Sequence, residues 1–309
     1  MALLKLNNNF ISLNGKLLKD NYDPKFIIVV DTTKAGSASN TFILPTAGTG
    51  YNAVVEWGDG TSQTITGTPG NVTKVYSTSG TYEIKISGLF PRIFFNNSGD
   101  KLKLKEIKNW GGIVWGSMDN AFVGCSNMTG TYKDSPNTSN VISMRMMFWG
   151  CSSFNQVINF NTSLVTDMVY MFRGCGSLNS PITLYGGTGV GCSCHRMFQE
   201  CHNFNSKVTI DTSKIAGMDY MFGVCYNFNQ DISNFNVESV TNMTSMLNSS
   251  FAFSTTNYNL LLISWAAQNV QSNVSFDAGD AQCSGDDAKA ARLHLINTHG
   301  WTITDTPPV

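Results

Sequence analysis

Five cysteines, Cys125, Cys151, Cys175, Cys201 and Cys225, recur at steps of 26, 24, 26 and 24 residues. A period in this range marks a chain built of small units that stack because none can bury its apolar face alone. The surrounding words repeat too: Met144-Arg145-Met146-Met147-Phe148-Trp149-Gly150-Cys151, Met168-Val169-Tyr170-Met171-Phe172-Arg173-Gly174-Cys175 and Met218-Asp219-Tyr220-Met221-Phe222-Gly223-Val224-Cys225. Met, Met, Phe and Cys stand at i, i+3, i+4 and i+7, so the spacing predicts a short helix in each repeat. About four residues later Phe154-Asn155-Gln156-Val157-Ile158 recurs as Leu178 to Ile182, Phe204 to Val208 and Phe228 to Ile232. Alternation with β-branched residues predicts one short strand there. The five cysteines form a structural ladder with side chains pointing one way. A disulfide needs facing Cβ vectors, so free buried thiols are expected. Asn155, Asn179, Asn205 and Asn229 form a second ladder, whose amides can serve backbone groups of neighbouring turns.

Composition narrows the class further. Of 309 residues only 13% are charged, about half the usual share of roughly 25%. That excludes a charged disordered chain, a coiled coil and a long-helix bundle. A net charge of −1 gives no bulk attraction to nucleic acid, so no nucleic-acid partner is expected. No apolar run of about 18 residues exists, so no membrane insertion is expected either. The start, MALLKLNNNF, lacks the roughly 7–15 apolar residues of a secretory signal. It reads instead as strands Phe10 to Leu13 and Lys16 to Leu18 around Asn14-Gly15, a strong hairpin signal.

Residues 24 to about 90 carry short apolar runs at Phe26 to Val30, Thr41 to Leu44, Ala53 to Trp57, Val72 to Tyr76 and Tyr82 to Ile86. Such spacing predicts a β-sandwich. The words Val54-Val55-Glu56-Trp57-Gly58-Asp59-Gly60-Thr61 and Tyr76-Ser77-Thr78-Ser79-Gly80-Thr81-Tyr82 resemble the PKD-like immunoglobulin-fold domain. Trp57 would fill the space between sheets and Asp59-Gly60 would make a tight turn. Asp31 and Asp59 read as turn residues rather than calcium ligands, since a hard cation needs six or more oxygens.

The repeats resemble BspA-like leucine-rich-repeat surface proteins, whose unit reads V-T-x-M-x-x-M-F-x-G-C-x-x-F-N-x-x-I. Val165-Thr166-Asp167-Met168 and Val240-Thr241-Asn242-Met243 supply its opening. Phe90-Pro91-Arg92-Ile93 through Trp110-Gly111 is similar to the family's N-terminal cap, and Trp301-Thr302-Ile303-Thr304 to its ending. One copy departs, with Cys194 replacing the first Met after Gly186-Gly187-Thr188-Gly189. Beyond 250, Tyr258 to Gln268 predicts a buried helix. Ser284 with Asp287 predicts a capping box before a helix at Ala288 to Thr298, with Gly300 ending it. The expected fold is mainly β with short helices. An attachment hairpin occupies 1–23, a PKD-like β-sandwich 24–90, an α/β leucine-rich-repeat-like solenoid with its N-terminal cap 91–250, and a C-terminal helical cap 251–309.

Chemistry-bearing constellations are few. Cys192-x-Cys194-His195 with Cys201-His202 has soft metal ligands. The repeat register sends Cys194 and Cys201 inward and His195 outward, so no metal is expected. No phosphate loop, nucleotide-binding glycine pattern or H-E-x-x-H is present, so no catalytic residue, cofactor or enzymatic activity is expected. Outward positions i+1, i+2 and i+5 carry the candidate partner-binding residues Arg145, Trp149, Tyr170, Arg173, His195, Arg196 and Tyr220, side chains typical of interface anchors. The strand face, with Val157, Asn159, Pro181, Thr183, Lys207 and Thr209, is the rival surface.

The expected function is non-catalytic recognition of a host-surface protein or glycan. The start and end of the sequence, without signal or sorting module, suggest a virion-associated protein, a phage fibre, tail or capsid-decoration component. Residues 1–23 would then contact other virion proteins. The alternative, which the family resemblance implies, is an adhesin at a bacterial cell surface. A carbohydrate-active enzyme or its accessory module is the weakest reading. A homo-oligomer would suit a fibre, although no heptad or triple-helical signal accompanies it.

Overall fold

The computed structural model describes residues 24–186 and 188–308, with the backbone of 11–13 and 16–18. Among these the protein is mainly β with two helices. Strands β1 (Ile11–Leu13) and β2 (Lys16–Leu18) pair antiparallel, Leu13 opposite Lys16. Phe10, the expected Asn14-Gly15 turn and the rest of 1–23 lie outside the described residues.

Strands β3 (Phe26–Asp31), β4 (Thr41–Leu44), β5 (Tyr51–Glu56), β6 (Ser62–Gly67), β7 (Val72–Val75) and β8 (Thr81–Leu89) follow. Strands β9 (Leu104–Asn109) and β10 (Thr129–Gly130) join them in a six-stranded sheet of order β10-β9-β3-β8-β5-β6. β4 and β7 form a separate antiparallel pair. Phe42, Leu44 and Val72 from that pair share one core with Phe26, Ile28, Val30, Val55, Trp57, Ile84 and Ile86. Asp59 closes the turn after Trp57 by accepting the Thr61 N–H at 3.0 Å, and Lys74 Nζ lies 2.7 Å from its other oxygen. Partial burial opposes ionisation of Asp59, but hydrogen bonds from Lys74 and Thr61 outweigh it and hold the carboxyl at about 2.

The sheet runs on past residue 90 because β9 pairs with β3. Trp110, at the end of β9, is fully buried and touches both sides of this joint. Its ring stands 5.7 Å from Phe26 and 6.0 Å from Phe122. The Asp134 carboxylate, 23 residues away, accepts the Gly111 N–H at 2.7 Å. Gly111 sits at φ 63°, and a Cβ there would fall 2.4 Å from the Lys25 carbonyl, so glycine is required.

From here the chain coils with a step of 24–26 residues. β11 (Ile158–Asn161) pairs in parallel with β12 (Ile182–Tyr185), Ile158 opposite Ile182. After β13 (Cys192–Ser193) comes β14 (Val208–Ile210), whose Val208 continues that row. β15 (Ile215–Gly217) pairs with β13 in a second parallel row. The repeat strands therefore begin on the last residue of the segments expected to form them, and Phe228 to Ile232 forms none. Phe154 and its equivalents point into the core just before the strand.

The short helices expected at Met144–Cys151 and its copies are absent; these segments are tandem turns. Met147, Trp149 and Cys151 donate to carbonyls three residues back, at 3.0–3.1 Å. The alternate donors Met144, Met146, Phe148 and Gly150 reach Asp167, Val169, Met171 and Arg173 of the next coil, at 2.8–2.9 Å. A helix would spend every N–H within its own turn. Here half of them join coil to coil, and the apolar spacing of 0, 3, 4 and 7 serves both designs.

Each turn pair needs left-handed residues. Asn120, Met146, Tyr170, Arg196, Tyr220 and Ser245 hold φ of 54–60°. Gly124, Gly150, Gly174, Glu200, Val224 and Ser249 hold φ of 58–75°. At the second position only the first three copies use glycine. A β-branched residue there is an outlier, costing about 1–2 kcal/mol. Val224→Gly should therefore stabilise the protein by about 0.5–1 kcal/mol after allowing for glycine's greater freedom when unfolded. The reverse change, Gly174→Val, should destabilise it by about 0.5–1 kcal/mol on the same reckoning. Chemical denaturation midpoints check both; equal effects of one sign would refute the conformational account.

The chain ends in α1 (Thr255–Ala266), β16 (Ser275–Gln282), α2 (Asp286–His299) and β17 (Thr302–Thr306). Ser254 caps α1 by accepting the Asn257 N–H. The expected Ser284–Asp287 box does not form: the N-cap is Gly285, and the Ser284 N–H donates to Asn259 instead. Gly300 does end α2 in the left-handed conformation, its N–H bonding the Ile296 carbonyl. Arg292 of α2 grips the buried Asp305 of β17 at 2.6 and 2.8 Å, and Tyr258 of α1 donates to the same carboxylate at 2.6 Å.

Candidate functional site

The ladders set the frame of the site. Phe122, Phe148, Phe172, Phe198 and Phe222 stack with neighbouring centroids 5.4–5.6 Å apart and planes within 4–11°. All eight cysteines are buried thiols. The Sγ of Cys151, Cys175, Cys201 and Cys225 donates to the carbonyls of Phe122, Phe148, Phe172 and Phe198 at 3.0–3.1 Å. Ser250 takes the next rung, its hydroxyl donating to the Phe222 carbonyl at 2.7 Å. Burial pushes the Cys125, Cys151, Cys175 and Cys201 thiols well above the usual range, which removes their nucleophilic form. Asn155, Asn179 and Asn205 each accept the backbone N–H of the next asparagine at 2.8–2.9 Å. Asn229 accepts from Ser254, the N-cap of α1, at 3.0 Å. The asparagine ladder thus runs into the start of α1.

On the outer side of the turns the candidate residues come together. The Trp149 and Tyr170 rings stack at 6.0 Å, and His195 meets Tyr170 edge-on at 5.3 Å. The Arg145, Arg173 and Arg196 guanidiniums all lie 5.5–5.8 Å from the Tyr170 ring centre. Arg173 also lies over Trp149 at 5.6 Å, and Arg196 over Tyr220 at 4.6 Å. All seven residues are half-buried. They form one continuous stripe of alternating cations and rings, a favourable arrangement for each contact.

Carboxylates from the following coil complete it. Arg173 pairs with Glu200 at 2.7 Å, Arg145 reaches Asp167 at 3.8 Å, and His195 Nδ1 bonds Asp219. Arg92, two coils before Arg145, pairs with Asp119 of the coil between them at 3.1 Å. Val169, expected outside, is buried. Cys192 and Cys194 face the core while His195 lies in the stripe, so these sequence neighbours do not converge. Among the described residues no group of three His, Cys, Asp or Glu side chains is placed to hold a metal ion.

A second row follows the cysteines. His202, Tyr226 and Phe251 are exposed and stacked, at 4.7 and 5.7 Å with planes 11–14° apart. Their spacing of 24 and 25 residues is the signal that would have found them. On the rival face Val157, Asn159, Pro181, Lys207 and Thr209 are exposed and Thr183 half-buried, without comparable clustering of rings and cations.

The model of the family described as "Mycoplasma protein of unknown function, DUF285" matches residues 116–209 and 191–282, which together span more than half of the sequence. The chain belongs to this family. The matched residues hold the repeats that carry the BspA-like resemblance, and with it the character of a surface repeat protein. No curated protein and no solved structure matches the chain. No helix among the described residues is long and apolar enough to cross a membrane.

Proposed function

We propose that this DUF285 protein is a non-catalytic recognition protein working outside the cell, a PKD-like sandwich followed by a capped solenoid. Its turn face binds a host-surface protein or glycan. The observation that carries this reading is the side-chain choice at the first left-handed position. Glycine or asparagine would suit φ of 54–60° best, yet three successive coils place Tyr170, Arg196 and Tyr220 there. Local rules broken in one line, by residue types that anchor interfaces, point to use of the side chains. Family membership supports display on a bacterial surface. Carriage on a virion is the second setting, and detection of the protein in purified particles rather than in the cell envelope would decide for it.

The binding surface is tested with the full chain applied to host-cell surfaces. Trp149→Ala with Tyr170→Ala should reduce binding at least about tenfold, as expected for anchor residues. Asn159→Ala with Thr183→Ala on the strand face should leave it near the wild-type level. The opposite pattern would move the site to the strand face.

A further inference from the structure

One coil departs from the others at two inward-facing positions. Four coils hold an aliphatic residue and, three residues on, a methionine: Val141 and Met144, Val165 and Met168, Ile215 and Met218, Val240 and Met243. The remaining coil holds Cys192 and Cys194 there, and all ten side chains are fully buried. The register makes the equivalence plain. Cys192 stands opposite Ile215 in the β13–β15 pair. The Cys194 N–H reaches the Gly217 carbonyl, as the Met168 N–H reaches Ser193 and the Met218 N–H reaches Asn242. The two cysteines are one residue closer in sequence than their counterparts, and the pairing skips Ala216 to accommodate this. Residues two apart on an extended strand share one side, about 6.6–6.8 Å apart, the upper edge of the span a disulfide bridges. The sulfurs are also partnered differently from the ladder. Cys151, Cys175, Cys201 and Cys225 donate to carbonyls of the preceding coil, whereas Cys194 hydrogen-bonds Cys192. That bond, with burial, pushes the Cys194 thiol well above its usual range.

We propose that Cys192 and Cys194 are an oxidisable dithiol, which a hydroperoxide closes to a disulfide while the remaining cysteines stay reduced. This goes beyond the recognition role and does not depend on what the turn face binds. The Cys192 sulfur, as thiolate, attacks one peroxide oxygen; the O–O bond breaks, hydroxide leaves and a sulfenic acid forms. The Cys194 thiol then displaces that hydroxyl as water, and the S–S bond closes. Two thiols lose two electrons and two protons, and hydrogen peroxide takes up both to become two waters. The ladder cysteines lack such a neighbour, because they stand one coil apart with side chains pointing one way. Access comes from the chain just before the pair. Val190 is 83% exposed, and Gly191 has open space where a Cβ would stand. Local opening of this stretch, rather than unfolding of the stack, uncovers Cys192.

The test treats the reduced full-length protein with hydrogen peroxide, unfolds it, alkylates free thiols with iodoacetamide and counts them by intact mass. Wild type should show eight alkylated cysteines before oxidation and two fewer after it, with both restored by dithiothreitol. In the oxidised sample, fragmentation of the tryptic peptide ending at Arg196 should place the bridge between Cys192 and Cys194 and leave Cys175 alkylated. Cys192→Val and Cys194→Met, which put back the residue types of the neighbouring coils, should each lose no pair of thiols. The wild-type fragmentation decides the matter even where a variant fails to fold. Eight alkylated cysteines after oxidation, a bridge to any ladder cysteine, a paired loss that persists in either variant, or a loss that dithiothreitol does not reverse would overturn the proposal.

Discussion

Asp100→Ala should lower the unfolding free energy by about 3–5 kcal/mol, the usual cost of stranding one member of a buried ion pair. Asp100 and Lys103 have fully buried side chains, with Nζ 3.7 Å from Oδ1. Each is also wired to β4 and the loop before it. The Asp100 carboxylate accepts the backbone N–H groups of Ser37 and Ile43 at 2.6 and 2.7 Å, and the Ser37 hydroxyl at 2.7 Å. Lys103 Nζ donates to the carbonyls of Ser37, Ala38 and Thr41 at 2.8–2.9 Å. Burial lowers the Lys103 pKa while Asp100 opposes the drop. Alanine at 100 leaves an uncompensated ammonium and two orphaned amides in the interior. Adding Lys103→Met should recover part of the loss, because the remaining site is then uncharged. Urea unfolding of both variants measures this. A single-variant loss below about 1 kcal/mol, or a double variant no better than the single, would show the pair to be incidental.

Neither half of that pair was legible in the sequence. Asp100 and Lys103 are three apart in a lead-in segment, and the groups they serve lie about 60 residues earlier. The stack was legible because its determinants repeat. Cys, Phe and Asn recur at positions where a side chain meets its own kind one coil away, so spacing alone exposed the ladders. The local conformation was not. An apolar pattern at 0, 3, 4 and 7 records which side chains face inward, not where the intervening N–H groups go. The left-handed positions that distinguish turns from helix are glycine at only Gly124, Gly150 and Gly174. Strand β6 escaped notice because Ile65 is its only buried residue. In the stripe the cations and rings could be placed from the register. Their acidic partners could not, because Asp167, Glu200 and Asp219 come from neighbouring coils.

Phe198→Ala should be the most damaging single change within the stack, costing about 3–5 kcal/mol. The ring is fully buried and touches three others: Phe172 and Phe222, each at 5.4 Å, and Phe204 at 4.8 Å. Removing it opens a cavity in the middle of a column whose walls cannot close. The coil spacing is set by backbone bonds such as Phe198 N to the Met221 carbonyl and Phe172 N to the Met197 carbonyl, both 2.9 Å. The effect should also be directional. In a stack each coil contacts only its neighbours, so a weakened interface lets the two sides open separately. Amide hydrogen exchange should therefore speed up first in the turns of residues 168–175 and 218–225, while β3 and β8 keep their protection. Phe198→Leu should cost much less, since Leu247 already stands at the equivalent position of the last turn and is fully buried there. A uniform loss of protection across sheet and stack would contradict this account. It would mean that the shared core around Trp110 makes the chain unfold as one unit, in which a coil interface cannot be weakened alone.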